Sequence, residues 1–597
     1  MANITPQQGV LKRLNIDYFE GINNLVGDNL SKKSEFIHAE NARSQTIGYV
    51  EKRGGYKRLG DTLSSPTNYG MYYFESTNAS SSHFWTVASV AATTRVYYLN
   101  TSATWTTLAD ADSTGLTATN HFFTIANKNL YIVNGTDANR YVGSDGATVT
   151  TSATATGNLY NCPIAKKIAF YKEKLYVGDY KIGSLTLPTH IMFSSKLLGI
   201  VSLVDGDHAS GVTTVNVTDT KYIHPTDSLD VYRGATKIAT LTISAKTEST
   251  ITVTATGVAL LSADELWVAD TYSTNARVFR WADNPSSGTD AKQYDTFQLA
   301  GAGDYNMTIL DTINDYLIIS NKKNIGVFNG SSLKMFDMGF GCVSERGYVK
   351  YGGVMFFASY NGIYATSGYE MPKLISSKIQ KTWDGASKSG KEAAAMGVKG
   401  TSIFCSIGDV TLYKQDGSVD KTLSDVVIEY DTRQQNWFQH IGVPVKEFRT
   451  YIGSVDPDRL EYSASTASAG HIYEMFYGTV DDDGTDNEIP FIATIGSITL
   501  SSSFENICHI KEIILEVKQG SGIKCFLSLD DGPFYSLEGE ARKGANKFKV
   551  TPKSTNESEA RCRTLSLSFR EMSGRAVKIS RAAIVYFETS ESETYHK

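Results

Sequence analysis

The sequence predicts an all-β protein: a β-propeller of roughly six to eight blades with a small inserted β-barrel and a C-terminal β-sandwich. Three observations predict it. A short apolar strand, an Asn- or Gly-centred turn and a second apolar strand recur as one phrase. It reads Leu130-Tyr131-Ile132-Val133-Asn134-Gly135 leading to Arg140-Tyr141-Val142, then Tyr316-Leu317-Ile318-Ile319 leading to Ile325-Gly326-Val327-Phe328, then Val354-Met355-Phe356-Phe357 leading to Ile363-Tyr364-Ala365. Apart from one long interruption, copies start about 40 to 60 residues apart, the period of radial β repeats whose sheets cover one another's apolar faces. Composition agrees, because Tyr (34), Phe (26) and Gly (50) are plentiful while Pro (12) and charged residues (20%) are scarce, which suits strands and tight turns.

Along the chain, residues 1–59 form an entry segment with few strand signals before Gly48-Tyr49-Val50-Glu51-Lys52-Arg53-Gly54-Gly55-Tyr56. Residues 60–200 carry the first blades, the earliest at 83–89 and 95–100, with a looser copy at Leu175-Tyr176-Val177. Residues 201–270 break the period. Thr213-Thr214-Val215-Asn216-Val217, Ala239-Thr240-Leu241-Thr242-Ile243 and Thr250-Ile251-Thr252-Val253 alternate with period two and lack the blade phrase. They read as a small β-barrel in a blade loop, a surface used for contact; a longer decorated blade is the alternative. Blades resume over 271–480, with Ile403-Phe404-Cys405, Asn436-Trp437-Phe438 and Ile472-Tyr473-Glu474-Met475-Phe476. Asn329-Gly330 and Asn361-Gly362 supply turn residues that tolerate positive φ. After the acidic loop Asp481-Asp482-Asp483-Gly484-Thr485-Asp486, residues 481–597 read as a sandwich with separate strands at 510–517, 523–529, 547–550, 564–569 and 577–586. The tail from Glu588 reads as solvated or pinned by a neighbour.

Several function classes are excluded by composition. No apolar run nears the ~18 residues that span a bilayer, and Met1-Ala2-Asn3-Ile4 opens no secretory leader. A soluble protein made in the cytoplasm is expected. The formal net charge is −6 with acids and bases mixed, so no basic stripe marks a nucleic-acid reader. Cys162, Cys342, Cys405, Cys508, Cys525 and Cys562 form no C-x-x-C pair, and the ten histidines form no H-E-x-x-H. These read as buried reduced thiols and as no metal site.

Chemistry-bearing constellations are sparse. Glycoside cleavage needs two carboxyls flanking one bond, and the close pairs are Asp456/Asp458, Asp530/Asp531 and the run from Asp481 to Asp483. All sit where Asp caps turn N–H groups. Calcium at the acidic loop fails on register, since an EF-hand reading puts Thr479 at position 1 and Pro490 where the bidentate Glu belongs. Trp85, Trp105, Trp267, Trp281, Trp383 and Trp437 are sugar-stacking platforms or packed core. No catalytic, cofactor-binding or metal residue is assigned, and the chain is expected not to be an enzyme.

Asn15-Ile16-Asp17-Tyr18-Phe19-Glu20-Gly21-Ile22-Asn23, then Ser34-Glu35-Phe36 with Asn41, then Gly48 through Tyr56, resembles the opening of tail nozzle proteins of short-tailed bacteriophages, the tail tubular protein B and DNA-stabilisation relatives. Glu20 stands where that pattern usually has Gly. The blades, the inserted module and the strand pair over 563–587 look like the same family, so the resemblance spans most of the chain. It implies a virion protein, a hexameric ring at the distal end of the tail that retains packaged DNA and opens for ejection. The implied partners are further copies of the chain, an adaptor or upper tail protein, tail fibres or spikes, and DNA passing through the lumen without specific binding. A receptor-binding or glycan-cleaving tail protein, and a connector or baseplate component of a long-tailed phage, are the alternatives.

Overall fold

The computed structural model describes residues 10–590 except 26–30, 61–66, 76–83, 91–92, 101, 103, 109–115, 145–148, 152–158, 160–161, 183, 270, 273–277, 283–295, 300–305, 337, 415, 452–458, 465–470, 483–485, 502, 504–505 and 552–559. The described chain is nearly all β. It divides into two compact units, one of residues 62–342 and 367–371, the other of 1–61, 343–366 and 372–597.

The first unit contains four antiparallel four-stranded meanders. They are Thr67–Tyr73, Phe84–Val90, Thr93–Leu99 and Trp105–Thr107; Phe122–Ala126, Asn129–Val133, Arg140–Val142 and Val149–Thr151; Ile164–Tyr171, Lys174–Ile182, Leu185–Phe193 and Thr296–Gln298; and Met307–Ile313, Tyr316–Asn321, Ile325–Phe328 and Leu333–Phe336. Hairpin geometry comes from residues the sequence did not mark. Asn127-Lys128 (φ 46° and 63°) and Lys172-Glu173 (φ 44° and 64°) are both left-handed, the type I′ geometry that matches strand twist. At the expected Asn329-Gly330 turn only Gly330 has positive φ (100°). Asn329 instead accepts the Ser331 and Ser332 N–H groups through Oδ1 at 2.9 and 2.8 Å, an Asx turn.

Between the third and fourth strands of the third meander lies a six-stranded sheet in the order Ile200–Leu203, Glu265–Val268, Ser228–Arg233, Thr236–Lys246, Thr250–Val253, Thr214–Asn216. A bridge between Val204 and Val217 brings its two edges together, so the sheet curls into a nearly closed barrel. Its filling is aliphatic: Val215, Ile223, Leu229, Val231, Leu241, Ile243, Ile251, Leu260 and Leu266 are all buried.

The second unit holds three further meander-type sheets. They are Tyr348–Tyr351, Val354–Ser359, Gly362–Thr366 and Lys373–Leu374; Ala395–Lys399, Ser402–Tyr413, Val419–Asp431 and Asn436–His440; and Val445–Tyr451, Arg459–Ala464 and Ile472–Met475, completed by Tyr56–Leu59. Two short helices, Gln380–Gly385 and Lys388–Glu392, were not anticipated.

The C-terminal region corrects the expected strand list. Residues 510–517 and 523–529 belong to one 24-residue strand, Asn506–Leu529. The Gly520-Ser521-Gly522 stretch is a bulge rather than a turn. Gly520 (φ 117°) and Gly522 (φ 76°) absorb register shifts between Val517 and Ile523, as glycine bulges do. One half of this strand pairs with Val577–Ser590 and Ala541–Lys549, the other with Thr564–Glu571 and Tyr535–Ser536. Two sheets therefore share one strand, and Ile513, Leu515, Val517, Ile523, Cys525 and Leu527 all enter the core. The start of the tail is structured too, since Val577–Ser590 runs to a pairing of Ser590 with Asn506 and Glu588 meets Lys12 at 2.8 Å.

Candidate functional site: the N-terminal clamp and its cleft

The entry segment is not strand-poor. Lys12–Ile16 and Val50–Lys52 pair with Val577–Ser590, Phe36–Glu40 pairs with Phe491–Thr499, and Tyr56–Leu59 pairs with Ile472–Met475. One stretch of chain thus adds strands to both C-terminal sheets and closes the last meander of its unit.

What fixes it there is polar and buried. Asn41 has a left-handed backbone (φ 53°), which Asn tolerates better than most residues. Its Oδ1 accepts Arg53 Nε–H at 2.8 Å and the Ile441 N–H at 2.9 Å, and its Nδ2 donates to Pro490 O at 2.9 Å. Arg53, 2% exposed, gives its remaining N–H groups to both oxygens of Asp481 at 2.7 and 2.6 Å and to the carbonyls of Gly54 and Ile441. A planar guanidinium with five donors is the side chain that can fill this fork.

Beside it, Glu429 accepts from Arg43 at 3.0 Å and from His440 Nε2 at 2.9 Å. Burial opposes its charge, yet Arg43 and the His440 bond outweigh burial and hold its pKa down to about 2. Burial also holds His440 below its ordinary value, against the pull of Glu429. The Arg43 guanidinium lies 4.1 Å above the Phe476 ring. Lys52 donates to Glu571 and to Ile489 O, each at 3.2 Å, and burial lowers its pKa although Glu571 works to raise it.

The glycines of the segment mark backbone contact. A Cβ on Gly55 would sit 1.7 Å from Val480 O, and one on Gly21 would sit 2.4 Å from Trp437 O. Next to Gly21, position 20 has room. Glu20 reaches Lys32 at 3.3 Å, so the departure from the usual Gly costs no close approach. Glu35 accepts from Asn23 at 2.8 Å and from Lys378 at 3.0 Å, and these bonds, against burial, lower its pKa. Tyr18, Glu20, Lys32, Ile47, Lys378 and Asn436 line a cleft of about 370 Å³ on this segment.

The residues weighed for chemistry are dispersed. Asp481, expected in a solvated loop, is buried and spent on Arg53. Asp530 Oδ1 accepts the Arg563 and Thr564 N–H groups at 2.9 and 2.8 Å, which is turn capping. Asp456, Asp458 and Asp483 lie outside the described residues, as does the Trp85 side chain. Trp281, Trp383 and Trp437 are fully buried, Trp105 is 9% exposed, and Trp267 donates to Glu265 at 2.9 Å. Sequence reasoning quoted Asn41, Lys52 and Arg53 but missed Arg43, Glu429, His440 and Glu571. Their partners stand 386 to 519 residues apart in the pairs Arg43–Glu429 and Lys52–Glu571, a separation that leaves no local signal.

No protein-family model matches the chain, and no curated protein matches it. Among solved structures, the computationally designed Ika8 protein is 9% identical over 71% of this chain and 99% of its own, with a TM-score of 0.29. BamB from Moraxella catarrhalis is 11% identical over 79% and 99%, with a TM-score of 0.24. An exo-beta-1,3-galactanase from Phanerochaete chrysosporium is 9% identical over 80% and 98%, with a TM-score of 0.20. At these scores the likenesses say nothing about function.

Proposed function

We propose that the chain is a structural virion protein, a subunit of the nozzle ring at the distal end of a short-tailed phage tail. In this reading the seven meander-type sheets are propeller blades, Tyr56–Leu59 is the strand that closes the last of them, and the barrel at 200–268 is a contact module. The observation that carries the proposal is the use made of the nozzle-like opening. Gly21, Asn23, Glu35, Asn41, Lys52, Arg53 and Gly55 are all spent on holding the segment in place. A family phrase whose polar groups are consumed by architecture belongs to an assembly component better than to an enzyme.

The ring forms on the virion from six copies, docked to an adaptor or upper tail protein and contacted by fibres or spikes. Its work is conformational: loops obstruct the channel, and a signal from the fibres shifts them to an open state. A net charge of −6 suits a conduit, because a wall that neutralised ~6 to 10 phosphates would grip the duplex strongly at low salt.

Electron microscopy of particles made by the phage that encodes the chain tests this. The expected result is a sixfold ring of this protein at the tail tip. A threefold rod supports the receptor-binding or glycan-cleaving alternative, and absence from the particle overturns the proposal. With purified chain, fluorescence anisotropy on duplex DNA in ~0.15 M salt should show no submicromolar binding. Tight binding that weakens steeply with salt marks a clamp instead of a passive conduit.

A further inference from the structure

We propose that Cys508 and Cys562 form a cross-strand disulfide once the protein meets an oxidising environment, so that the C-terminal sheets carry a latent covalent lock. The two residues are direct partners between Asn506–Leu529 and Arg561–Cys562. The bond from Ile510 N to Ala560 O at 3.0 Å holds that register. Neither thiol is in a disulfide, both are buried at 0% and 2% exposure, and both face the same core cluster. Directly opposed residues of an antiparallel pair have Cα atoms about 4.5 to 5.5 Å apart. A disulfide accepts Cα separations of about 4.4 to 6.8 Å. Closing the bond therefore needs side-chain rotation and little backbone travel.

The other cysteines lack this placement. Cys405 faces Met396 and Ile428 across its strands, and Cys525 faces Phe569. Cys162 takes a contact from Asn139 Nδ2, and Cys342 lies outside the strands.

Access comes from the short partner. Arg561–Cys562 is two residues long and lies against a strand of 24, so it opens locally long before the sheet does. With a small-molecule disulfide such as oxidised glutathione as oxidant, the Cys562 thiolate attacks one sulfur. A mixed disulfide forms, and one glutathione leaves as its thiolate. The Cys508 thiolate then attacks the Cys562 sulfur and expels the second glutathione. The protein loses two electrons to the oxidant, and the two cysteine protons end on the two glutathione thiols. Because Cys562 stands just before Thr564–Glu571, a strand of the other sheet, the bond staples the corner where the chain passes between sheets.

The test uses the full purified chain, held native with oxidised glutathione or with dithiothreitol, then alkylated and mapped by non-reducing peptide mass spectrometry. The expected result is one dominant Cys508–Cys562 cross-linked peptide and a Tm several degrees above that of the reduced protein. That rise should persist in Cys405→Ser and vanish in Cys562→Ser. If Cys562→Ser does not fold, the oxidised and reduced wild-type protein still decide. Recovery of free or singly glutathionylated Cys508 and Cys562, or a cross-link that forms only after denaturation, overturns the proposal.

Discussion

The barrel at 200–268 and the N-terminal clamp both bury the inner face of a sheet, and they do it with opposite materials. The barrel closes on itself from one contiguous stretch, and its interior is Val, Ile and Leu. The clamp joins residues hundreds of positions apart, and its interior holds Arg53–Asp481, Arg43–Glu429 and Lys52–Glu571. Aliphatic packing is non-directional and tolerates substitution of similar volume. Buried ion pairs demand that every partner be present, because a lone buried charge is costly. The difference predicts a barrel whose aliphatic filling is robust and separable, with the buried Asp227–Arg280 pair at its boundary as the exception, and a clamp that fails at single residues.

The largest effect is expected at Arg53. Arg53→Met keeps much of the volume but takes both guanidinium bonds from buried Asp481 and leaves Asn41 Oδ1 with only the Ile441 N–H. Breaking a buried pair from one side costs ~3–5 kcal/mol, and chemical denaturation should show that loss in the unit that holds the clamp. The double change Arg53→Met with Asp481→Leu should recover part of it. If the single variant melts like wild type, the fork is dispensable and the contrast with the barrel fails.

Glu429 comes next and brings a pH window. Its folded pKa of about 2 lies below the ordinary 4.5, so its stabilisation is complete above about pH 4.5 and is lost as pH falls toward 2. A depression of that size corresponds to on the order of 3 kcal/mol. Glu429→Gln should lower Tm clearly at pH 7 and progressively less below pH 4.5, and thermal scans across that range check it. A constant gap down to pH 3 shows that the stabilisation does not come from the charge.

A smaller loss is expected at Gly21, where the carbonyl of Trp437 lies 2.4 Å and its amide nitrogen 2.5 Å from the position a Cβ would take. Gly21→Ala forces two backbones apart, an overpacking cost of ~1–3 kcal/mol. Glu20→Gly one residue earlier touches only a solvent-facing pair with Lys32 and should stay within ~0.5 kcal/mol. Urea titration of both variants separates a contact constraint from a family habit.

The same contrast explains what was legible in the sequence. The barrel's strands alternate within a few residues of one another, so Thr213 through Val217 and Thr250 through Val253 announced themselves by period two. The meanders carried their phrase locally as well. The clamp's strands did not, because Phe36–Glu40 and Lys12–Ile16 are stabilised by partners at the far end of the chain, and tertiary context overrides weak local preference. The turn at Lys172-Glu173 was invisible for another reason: nothing in those two side chains favours positive φ, and the flanking strands impose it. Gly520 and Gly522 misled in the opposite direction, since glycine punctuates both turns and bulges.

Only a small effect is expected from the largest change. Ile200 pairs with Trp267 across the first two strands of the barrel sheet, so the chain enters and leaves the barrel at neighbouring points and a short Gly/Ser linker can replace the segment 201–270. The barrel draws nearly all of its aliphatic core from its own stretch, with Val278 added from just beyond it. Its polar ties to neighbouring residues centre on Arg280, which donates to Asp227 and to Tyr222 O, and on His224, which meets Trp281 O at 2.7 Å. Removing the barrel uncovers Arg280 to water, where a guanidinium is well solvated, instead of stranding it in a dry interior. Asp227→Ala in the intact chain keeps that cation buried and removes its carboxylate, and should therefore destabilise more than deletion of the whole module. Differential scanning calorimetry of the two variants decides the matter. The deletion should retain cooperative melting within a few degrees of wild type, while Asp227→Ala should fall further. If instead the deletion abolishes soluble expression or cooperative melting, the barrel is part of the surrounding core, and separability is not what sets it apart from the clamp.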